Sequence, residues 1–230
     1  MEIDLLNTFL KKDKTTLELL SRVKEIEDIT VPKNYIEIWE EVSLKVQQEK
    51  AKNYNLSDHQ TQECLMKLRK RPYYLVSIAE QFGCKNFAEV GTAQGLQYFS
   101  FAEYAKSVNG HVWSCDIKDV RNRKYIDKYN KNTTFCLGNS KKLASIIDSA
   151  IDMFYIDGAH DYGDVVRDVV NLKGTQSKNP IWVFDDFDER FGCYKDIKRL
   201  CEMSGKFKIY RVGNAASGNP NHQVVVFGRF

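Results

Sequence analysis

Two short apolar runs in the second half of the sequence are each followed directly by acidic residues. A run of this kind, bounded by turn-forming residues, is typical of a strand buried on both faces of a parallel sheet. The first run, Ile-Asp-Met-Phe-Tyr-Ile, leads into Asp157 and His160, and the second, Ile-Trp-Val-Phe, leads into Asp185 and Asp186. Ligands of open α/β sheets bind outside the carboxyl ends of the strands. If the two strands are neighbours, these four side chains meet in one small volume, which is the candidate active site.

After residue 83 the sequence alternates between apolar runs and helix-like stretches. This alternation is typical of βαβ units that feed a mostly parallel sheet. The last two runs are joined by a loop, 213–221, that is too short for a crossover helix, so they should pair as an antiparallel hairpin. The predicted fold is therefore a doubly wound α/β sheet of seven strands, mostly parallel with a C-terminal antiparallel hairpin. The predicted strands lie at 86–90, 111–116, 133–137, 151–156, 181–185, 207–212 and 223–228.

The sequence before residue 84 has a helical pattern, with apolar residues recurring at three- and four-residue spacings from Leu5 onward. Pro32 interrupts this pattern, and Ser57 with Gln60 has the form of a capping box at the start of a further helix. Pro72 is expected to end or kink that helix. We therefore divide the chain into an N-terminal helical extension or cap, 1–83, and a ligand-binding domain, 84–230.

The charge of the chain does not favour a nucleic-acid ligand. Its formal net charge is only +3 over 230 residues. Basic residues cluster in two helical segments, and we interpret both clusters as solvated helix faces. The two clusters are Lys11, Lys12 and Lys14, and Lys67, Arg69, Lys70 and Arg71.

The six cysteines contain no Cys-x-x-Cys pair, which favours free thiols in a reducing compartment over disulfides or a zinc site. The first residues lack the basic and apolar regions of a signal peptide, and no apolar run has the length of a membrane span. The expected location is therefore cytoplasmic, without membrane contact.

A glycine-containing loop follows the first predicted strand, between Glu89 and Gly95. Gly91 permits a tight turn, but Ala93 stands where the second glycine of a dinucleotide-binding loop belongs, so no pyrophosphate site is predicted. No Gly-Lys-Ser/Thr follows, which excludes a P-loop. An acid before the loop and a second acid, Asp116, at the end of the next strand suit a ligand that carries a cationic group and a ribose.

Together these motifs resemble the class I S-adenosylmethionine-dependent methyltransferases, whose fold is Rossmann-like. The nearest branch resembles the small-molecule O-methyltransferases related to the macrocin type and to the cephalosporin-hydroxylase group. The resemblance covers about residues 84–230, and its most specific part is Asp-Gly-x-His-x-Tyr followed by a later Asp-Asp. The motifs are Glu89-Val-Gly-Thr-Ala-Gln-Gly95, Asp116, Gly138-Asn-Ser140, Asp157-Gly-Ala-His-Asp-Tyr162 with Asp168, and Asp185-Asp186 followed by Phe191-Gly-Cys-Tyr.

The resemblance implies S-adenosylmethionine as cofactor. Glu89 would lie near its ammonium group, Gly91 would allow close approach, and Asp116 would accept hydrogen bonds from the ribose. Asn139 and Ser140 would lie near the adenine. The implied cofactor-binding residues are Glu89, Gly91, Thr92, Gly95, Asp116, Asn139, Ser140 and Asp157.

The resemblance also implies a magnesium site, because counterparts of Asp157, Asp185 and Asp186 bind Mg²⁺ in metal-dependent relatives. Three carboxylates suit a hard cation that prefers oxygen ligands. Macrocin-type enzymes usually have a different sequence after the first metal aspartate, whereas this chain has Gly-Ala-His160. Asp157 and His160 are the candidate catalytic residues. A lysine or arginine inside the cluster would argue against the metal and would leave His160 as the base.

Several alternatives remain open at the level of sequence. Asp157 could cap the following helix, His160 could bond to backbone, and Asp185 with Asp186 could form a turn. The expected function is methyl transfer to a small-molecule hydroxyl, assisted by Mg²⁺. The alternatives are a methyltransferase acting on nitrogen, RNA or protein, and a non-catalytic S-adenosylmethionine-binding or scaffold protein. The expected partner is a small-molecule acceptor, with a homodimer as a further option, and 213–221 and 57–82 are expected to close the cleft.

Overall fold

One mixed sheet organises the computed structural model of the chain, which describes residues 3–5, 30–53, 57–159, 161–204, 208–212 and 223–230. Its buried strands are rich in Val, Ile, Phe, Tyr and Trp, which fit a pleated surface covered on both faces. The strands are β1 (Ile3–Leu5), β2 (Asn86–Val90), β3 (His111–Asp116), β4 (Thr133–Leu137), β5 (Ile151–Ile156), β6 (Gln176–Phe184), β7 (Lys208–Val212) and β8 (Gln223–Phe227).

The strand order is β1-β7-β8-β6-β5-β2-β3-β4. Strands β2 to β6 run parallel to one another, and β8 pairs antiparallel with both β6 and β7. The predicted α/β class and the C-terminal antiparallel hairpin are confirmed. The predicted count of seven strands is wrong, because the described sheet has eight. Side chains are also described in six of these strands, β2 to β6 and β8. The additional strand, β1, pairs with β7 from more than 200 positions away, so local periodicity, which placed Leu5 in a helix, carries no sign of it.

Helices cover both faces of the sheet, as the doubly wound arrangement requires. Phe87, Met153 and Val183 point into a core shared with the helices that precede β4, whereas Ala88 and Phe154 point into a core shared with those that follow it. The helices are α1 (Lys33–Trp39), α2 (Lys45–Asn53), α3 (Asp58–Gln81), α4 (Leu96–Ser107), α5 (Arg123–Tyr129), α6 (Ser140–Ile146), α7 (Asp164–Leu172) and α8 (Cys193–Ser204), with a π-helical segment (Glu40–Leu44) and a 3₁₀ segment (Lys173–Thr175).

Helix α3 is the long helix that packs across the first core. Its predicted capping box is present: the Ser57 hydroxyl accepts from the Gln60 amide, and the Gln60 side chain accepts from the Ser57 amide. Of the two expected effects of Pro72, an end of the helix is excluded, because the helix continues to Gln81. The buried Gln97 side chain of α4 donates to the Pro72 carbonyl at 3.4 Å, which ties α3 to the neighbouring helix at the proline.

The sheet changes winding direction at β2, which has β3 on one side and β5 on the other. Hydrogen bonds continue beyond the strand ends there: the Asp157 amide donates to the Val90 carbonyl at 2.9 Å, and the Asp185 amide donates to the Ile156 carbonyl at 3.0 Å. The loops after β2, β5 and β6 are therefore fixed side by side at one edge of the sheet. In open α/β sheets this crevice is where ligands bind.

Five cysteines in the described ranges are free and buried, each as a small apolar side chain. Among the helices that the structure describes, none is both long enough and apolar enough to cross a bilayer.

Candidate active site

The loop after β2 passes directly over the end of β5. Gly91 has a φ of 92°, and a Cβ atom there would lie 2.0 Å from the Asp157 carbonyl oxygen. Both facts require glycine, since other residues rarely adopt this conformation and none would fit. Gly95, with a φ of 94°, begins helix α4. The buried Thr92 hydroxyl lies 2.6 Å from the Ser114 hydroxyl of β3, which fixes the loop to the neighbouring strand.

Glu89 lies beneath this loop with only 1% of its surface exposed. The Ser114 hydroxyl donates to Glu89 Oε2 at 2.6 Å. Burial raises the pKa of Glu89 to about 8, and the nearby charges of Asp157 and Asp116 add to the rise, against the Ser114 hydrogen bond. A positively charged ligand group beside this carboxyl would stabilise its ionised form.

Asp116 ends β3 at the mouth of the same crevice. Its Oδ2 accepts from the Ala93 amide at 2.8 Å, and its Oδ1 accepts from the Lys118 amide at 3.1 Å. Two main-chain donors therefore hold the carboxylate in a fixed orientation, and its side chain remains half-buried. Each carboxylate oxygen can accept a second hydrogen bond, as contact with a ribose would require.

Asn139 and Ser140 lie at the start of helix α6. Asn139 caps α6 by accepting from the Lys142 amide at 3.2 Å. The buried Ser140 hydroxyl donates to Asp168 Oδ1 at 2.5 Å and accepts from the Asn171 side chain at 2.9 Å. These bonds tie α6 to α7, and burial raises the pKa of Asp168. Contact of Asn139 and Ser140 with an adenine remains a prediction.

Asp157 and Asp185 follow adjacent parallel strands and converge as the sequence analysis expected. The Tyr155 hydroxyl bridges them, lying 3.0 Å from Asp157 Oδ2 and 2.8 Å from Asp185 Oδ2. Asp186 is buried and has a φ of 53°, and its amide donates to Asp185 Oδ1 at 2.9 Å. His160 lies outside the described residues, as does the loop 213–221.

Arg71 of α3 enters this acidic cluster. Its Nη2 forms a direct ion pair with Asp185 Oδ2, donates to the Tyr155 hydroxyl at 2.7 Å and lies 4.0 Å from Asp157 Oδ2. With its amide oriented to satisfy the guanidinium, the Gln223 oxygen accepts from Arg71 Nε at 2.8 Å and Nη2 at 3.2 Å. Only 22% of the Arg71 side chain is exposed, so its assignment to a solvated helix face was wrong.

Sequence reasoning missed Arg71, Tyr155 and Gln223. Arg71 does carry a signal, because it lies three residues after Leu68 and four before Leu75 and therefore belongs to the apolar stripe of α3. A charged residue in such a stripe needs a buried partner. Tyr155 and Gln223 carry no comparable signal, since both fit ordinary strand positions.

The residues at the predicted magnesium site do not fit a metal ion in this arrangement. Asp185 Oδ1 accepts from the Asp186 amide, and Asp185 Oδ2 is occupied by Arg71 and Tyr155. Across the part of the chain that is described, no three histidine, cysteine or acidic side chains are placed to hold one metal ion together. The positive charge in the cluster is a guanidinium.

A surface groove of about 470 Å³ lies beside the loops after β5 and β6. The Gly163 amide donates to the buried Asp196 carboxylate of α8 at 2.5 Å, which holds the loop after β5 against α8. The groove combines two aromatic side chains with residues of both charges. Its lining residues are Tyr162, Glu189, Arg190, Phe191, Gly192 and Lys195.

A family model described as a methyltransferase domain matches residues 88–187, from β2 to the loop after β6. No curated protein matches the chain. Many solved structures match the chain, among them the following three. An O-methyltransferase from Bacillus cereus in complex with SAH is 16% identical, with a TM-score of 0.62 over 93% of this chain and 100% of that one. The SAH-bound methyltransferase PaMTH1 from Podospora anserina is 14% identical, with a TM-score of 0.59 over 98% of this chain and 100% of that one. The O-methyltransferase TomG from Streptomyces achromogenes in complex with SAM is 10% identical, with a TM-score of 0.59 over 97% of this chain and 93% of that one.

The matched region contains the glycine loop, Asp116 and the acidic cluster, but not Arg71 or Gln223. These comparisons agree with the predicted resemblance and the predicted enzyme class: residues 88–187 match a methyltransferase domain, and the chain shares the fold of the solved methyltransferases.

Proposed function

We propose that the chain is an S-adenosylmethionine-dependent O-methyltransferase that acts on a hydroxyl group of a small molecule. The observation that carries the proposal is the crevice at the winding switch, where Glu89, Gly91 and Asp116 lie at the ends of adjacent strands beside Asp157. The Bacillus cereus and Streptomyces achromogenes O-methyltransferases, described with SAH and SAM respectively, support both the cofactor and the type of acceptor.

The residues of the crevice suit the two polar ends of this cofactor. The buried Glu89 carboxyl would pair with the ammonium group, while Asp116 would accept from the ribose hydroxyls. Gly91 keeps the loop against β5, so a ligand over the loop would also lie close to Asp157. Asn139, Ser140, Thr92 and Gly95 complete the proposed binding set.

S-Adenosylmethionine supplies a methyl group on a positively charged sulfur, which leaves as a neutral thioether. The acceptor oxygen forms the new bond to carbon while the sulfur–carbon bond breaks, so the reaction depends largely on in-line positioning. The acceptor's proton needs a base. The arginine in the cluster leaves His160 as one candidate, but His160 lies outside the described residues. We therefore assign this role to Asp157, whose side chain is 32% exposed at the crevice, with His160 as a second candidate.

The proposed reaction does not use magnesium, because Arg71 and Tyr155 occupy the Asp185 oxygen that a metal ion between Asp185 and Asp157 would need. We place the small-molecule acceptor at the groove beside the loops after β5 and β6. The buried free thiols support a cytoplasmic location. We retain 84–230 as the catalytic domain and 1–83 as an extension, with a homodimer as an open option.

The experiment that tests this function combines binding with turnover. The full chain is titrated with SAH, then incubated with methyl-labelled S-adenosylmethionine and fractions of a metabolite extract. We expect SAH binding and transfer of label to a small product that contains a new methyl ether. Binding without any labelled product would favour a non-catalytic protein, and label on nitrogen, RNA or protein would replace the acceptor class. Loss of turnover with retained SAH binding in Asp157→Asn would support its role as base.

A further inference from the structure

We propose that Arg71 is the resident cation of the acidic cluster, so that its guanidinium takes the place of a divalent metal ion in this methyltransferase. The inference deepens the proposed function, on which it rests, by assigning Arg71 as a positioning residue for the acceptor side of the site. It concerns a residue outside the matched methyltransferase domain, contributed by the N-terminal helical region.

The first support is the completeness of the contacts that Arg71 makes. Its Nη2 group pairs with Asp185 and donates to Tyr155, and its Nε and Nη2 groups face the Gln223 oxygen. The Asp185 side chain is only 3% exposed. A buried charge persists when it is both paired and hydrogen-bonded, and Arg71 meets both conditions.

The second support is that the carboxylate oxygens a metal ion would need already have other partners. An ion held by Asp157 and Asp185 together would need their facing oxygens, and Tyr155 lies within 3.0 Å of both. Arg71 Nη2 contacts one of these oxygens and lies 4.0 Å from the other. A divalent cation placed between them would sit against the guanidinium, where like charges repel strongly at low dielectric.

The third support is the effect of Arg71 on Tyr155. The tyrosine hydroxyl accepts from Arg71, so its single proton is directed toward the two carboxylates. The two carboxylates share this proton, with Asp185 Oδ2 at 2.8 Å and Asp157 Oδ2 at 3.0 Å, and the shared contact holds Asp157 Oδ2 beside Asp185. Arg71 thus orients the proposed base through Tyr155 and Asp185, without itself touching the reacting atoms.

The test measures Mn²⁺ binding to the full chain by electron paramagnetic resonance, with Mn²⁺ as a probe for divalent cations. We expect no site-specific binding to the unmodified protein up to about 1 mM Mn²⁺, a range that covers typical weak protein sites. Arg71→Met removes the guanidinium from the facing oxygens of Asp157 and Asp185. That variant should bind one Mn²⁺ at least about tenfold more tightly than this limit, because the guanidinium no longer occupies these two oxygens.

Three variants control this experiment. Lys70→Met removes the same charge from the adjacent position of α3 and should not create a site. Arg71→Lys retains a cation and should also prevent Mn²⁺ binding. Arg71→Met combined with Asp185→Asn should lose the binding that Arg71→Met gains. SAH titration of every variant shows whether the fold is retained.

Specific Mn²⁺ binding by the unmodified protein that disappears in Asp185→Asn would overturn the proposal, as would loss of methyl transfer in excess chelator. If Arg71→Met does not fold, the proposal is still tested by Mn²⁺ binding to the unmodified protein and to Asp185→Asn, and by methyl transfer of the unmodified protein in excess chelator. Failure of the proposed function would be seen separately, as absence of SAH binding or of methyl transfer in the unmodified protein.

Discussion

At the scale of single residues, Glu89 illustrates how burial prepares a side chain for a cationic ligand. Its carboxyl is almost completely buried, its described hydrogen bond comes from Ser114, and its pKa is raised to about 8. Near neutral pH the group therefore holds a proton most of the time. An ammonium group beside it would favour the carboxylate and expel that proton.

We therefore expect SAH, which carries the same ammonium group as the cofactor, to release a proton on binding at pH 7. Calorimetric titration in two buffers with different ionisation enthalpies measures this release. Glu89→Gln should abolish it and weaken binding by roughly 1–3 kcal/mol, because a charge-assisted hydrogen bond is lost. Asp116→Ala should weaken binding by a similar ~1–3 kcal/mol yet retain the proton release. Equal release from the unmodified protein and Glu89→Gln would refute the pairing.

The same pKa predicts how the stability of the ligand-free protein depends on pH. The folded-state pKa of Glu89 lies above the ordinary value of 4.5. Its contribution to stability is therefore fully present below about pH 4.5 and is lost as the pH rises through about 8. In Glu89→Gln this decline should be absent. At pH 8.5 the free energy of unfolding of the variant should therefore exceed that of the unmodified protein by about 1–3 kcal/mol. Urea unfolding of both proteins at pH 6 and pH 8.5 checks the sign, and parallel pH profiles would contradict it.

At the scale of elements, local sequence pattern predicts the strands and loops whose partners are near in sequence or whose residues follow a simple repeat. Strands β2, β3 and β5 and the second half of β6 are buried on both faces and form apolar runs, and Gly91 and Asp157 follow from the loop pattern after such strands. Strand β1 and the position of Arg71 depend on contacts with distant segments. Binary pattern shows that Arg71 lies in an apolar stripe but not which carboxylate it meets.

The contact between the loop after β2 and the end of β5 gives an element-scale prediction. Gly91→Ala should destabilise the protein by roughly 3 kcal/mol and abolish SAH binding, because the added Cβ collides with the Asp157 carbonyl and the backbone conformation is strained. Gly174→Ala is the matched control, since a Cβ there has no atom within 4 Å and should cost less than about 1 kcal/mol. Urea unfolding and SAH titration measure both effects. Retained SAH affinity in Gly91→Ala would show that the loop does not shape the cofactor site.

At the scale of the whole molecule, the N-terminal helical region is joined to the catalytic sheet through the site itself. Arg71 of α3 contacts residues of β5, β8 and the loop after β6. An exposed ion pair between Lys124 and Glu41, at 2.6 Å, makes a second connection at the surface. The division at residue 83 remains a prediction, but the described contacts place α3 beside the candidate active site.

This difference between a buried and an exposed connection leads to a stability prediction for the whole chain. Asp185→Asn removes the carboxylate in direct contact with the largely buried Arg71 guanidinium and leaves Asp157 Oδ2 4.0 Å away. Breaking a buried ion pair typically costs about 3–5 kcal/mol. Adding Arg71→Met to Asp185→Asn should recover part of that loss, because the uncompensated charge is then removed. Lys124→Met breaks the exposed pair and should cost less than about 1 kcal/mol. A double-mutant cycle measured by urea unfolding gives the coupling energy, and additive effects of Arg71→Met and Asp185→Asn would show that the buried pair does not join the helical region to the sheet.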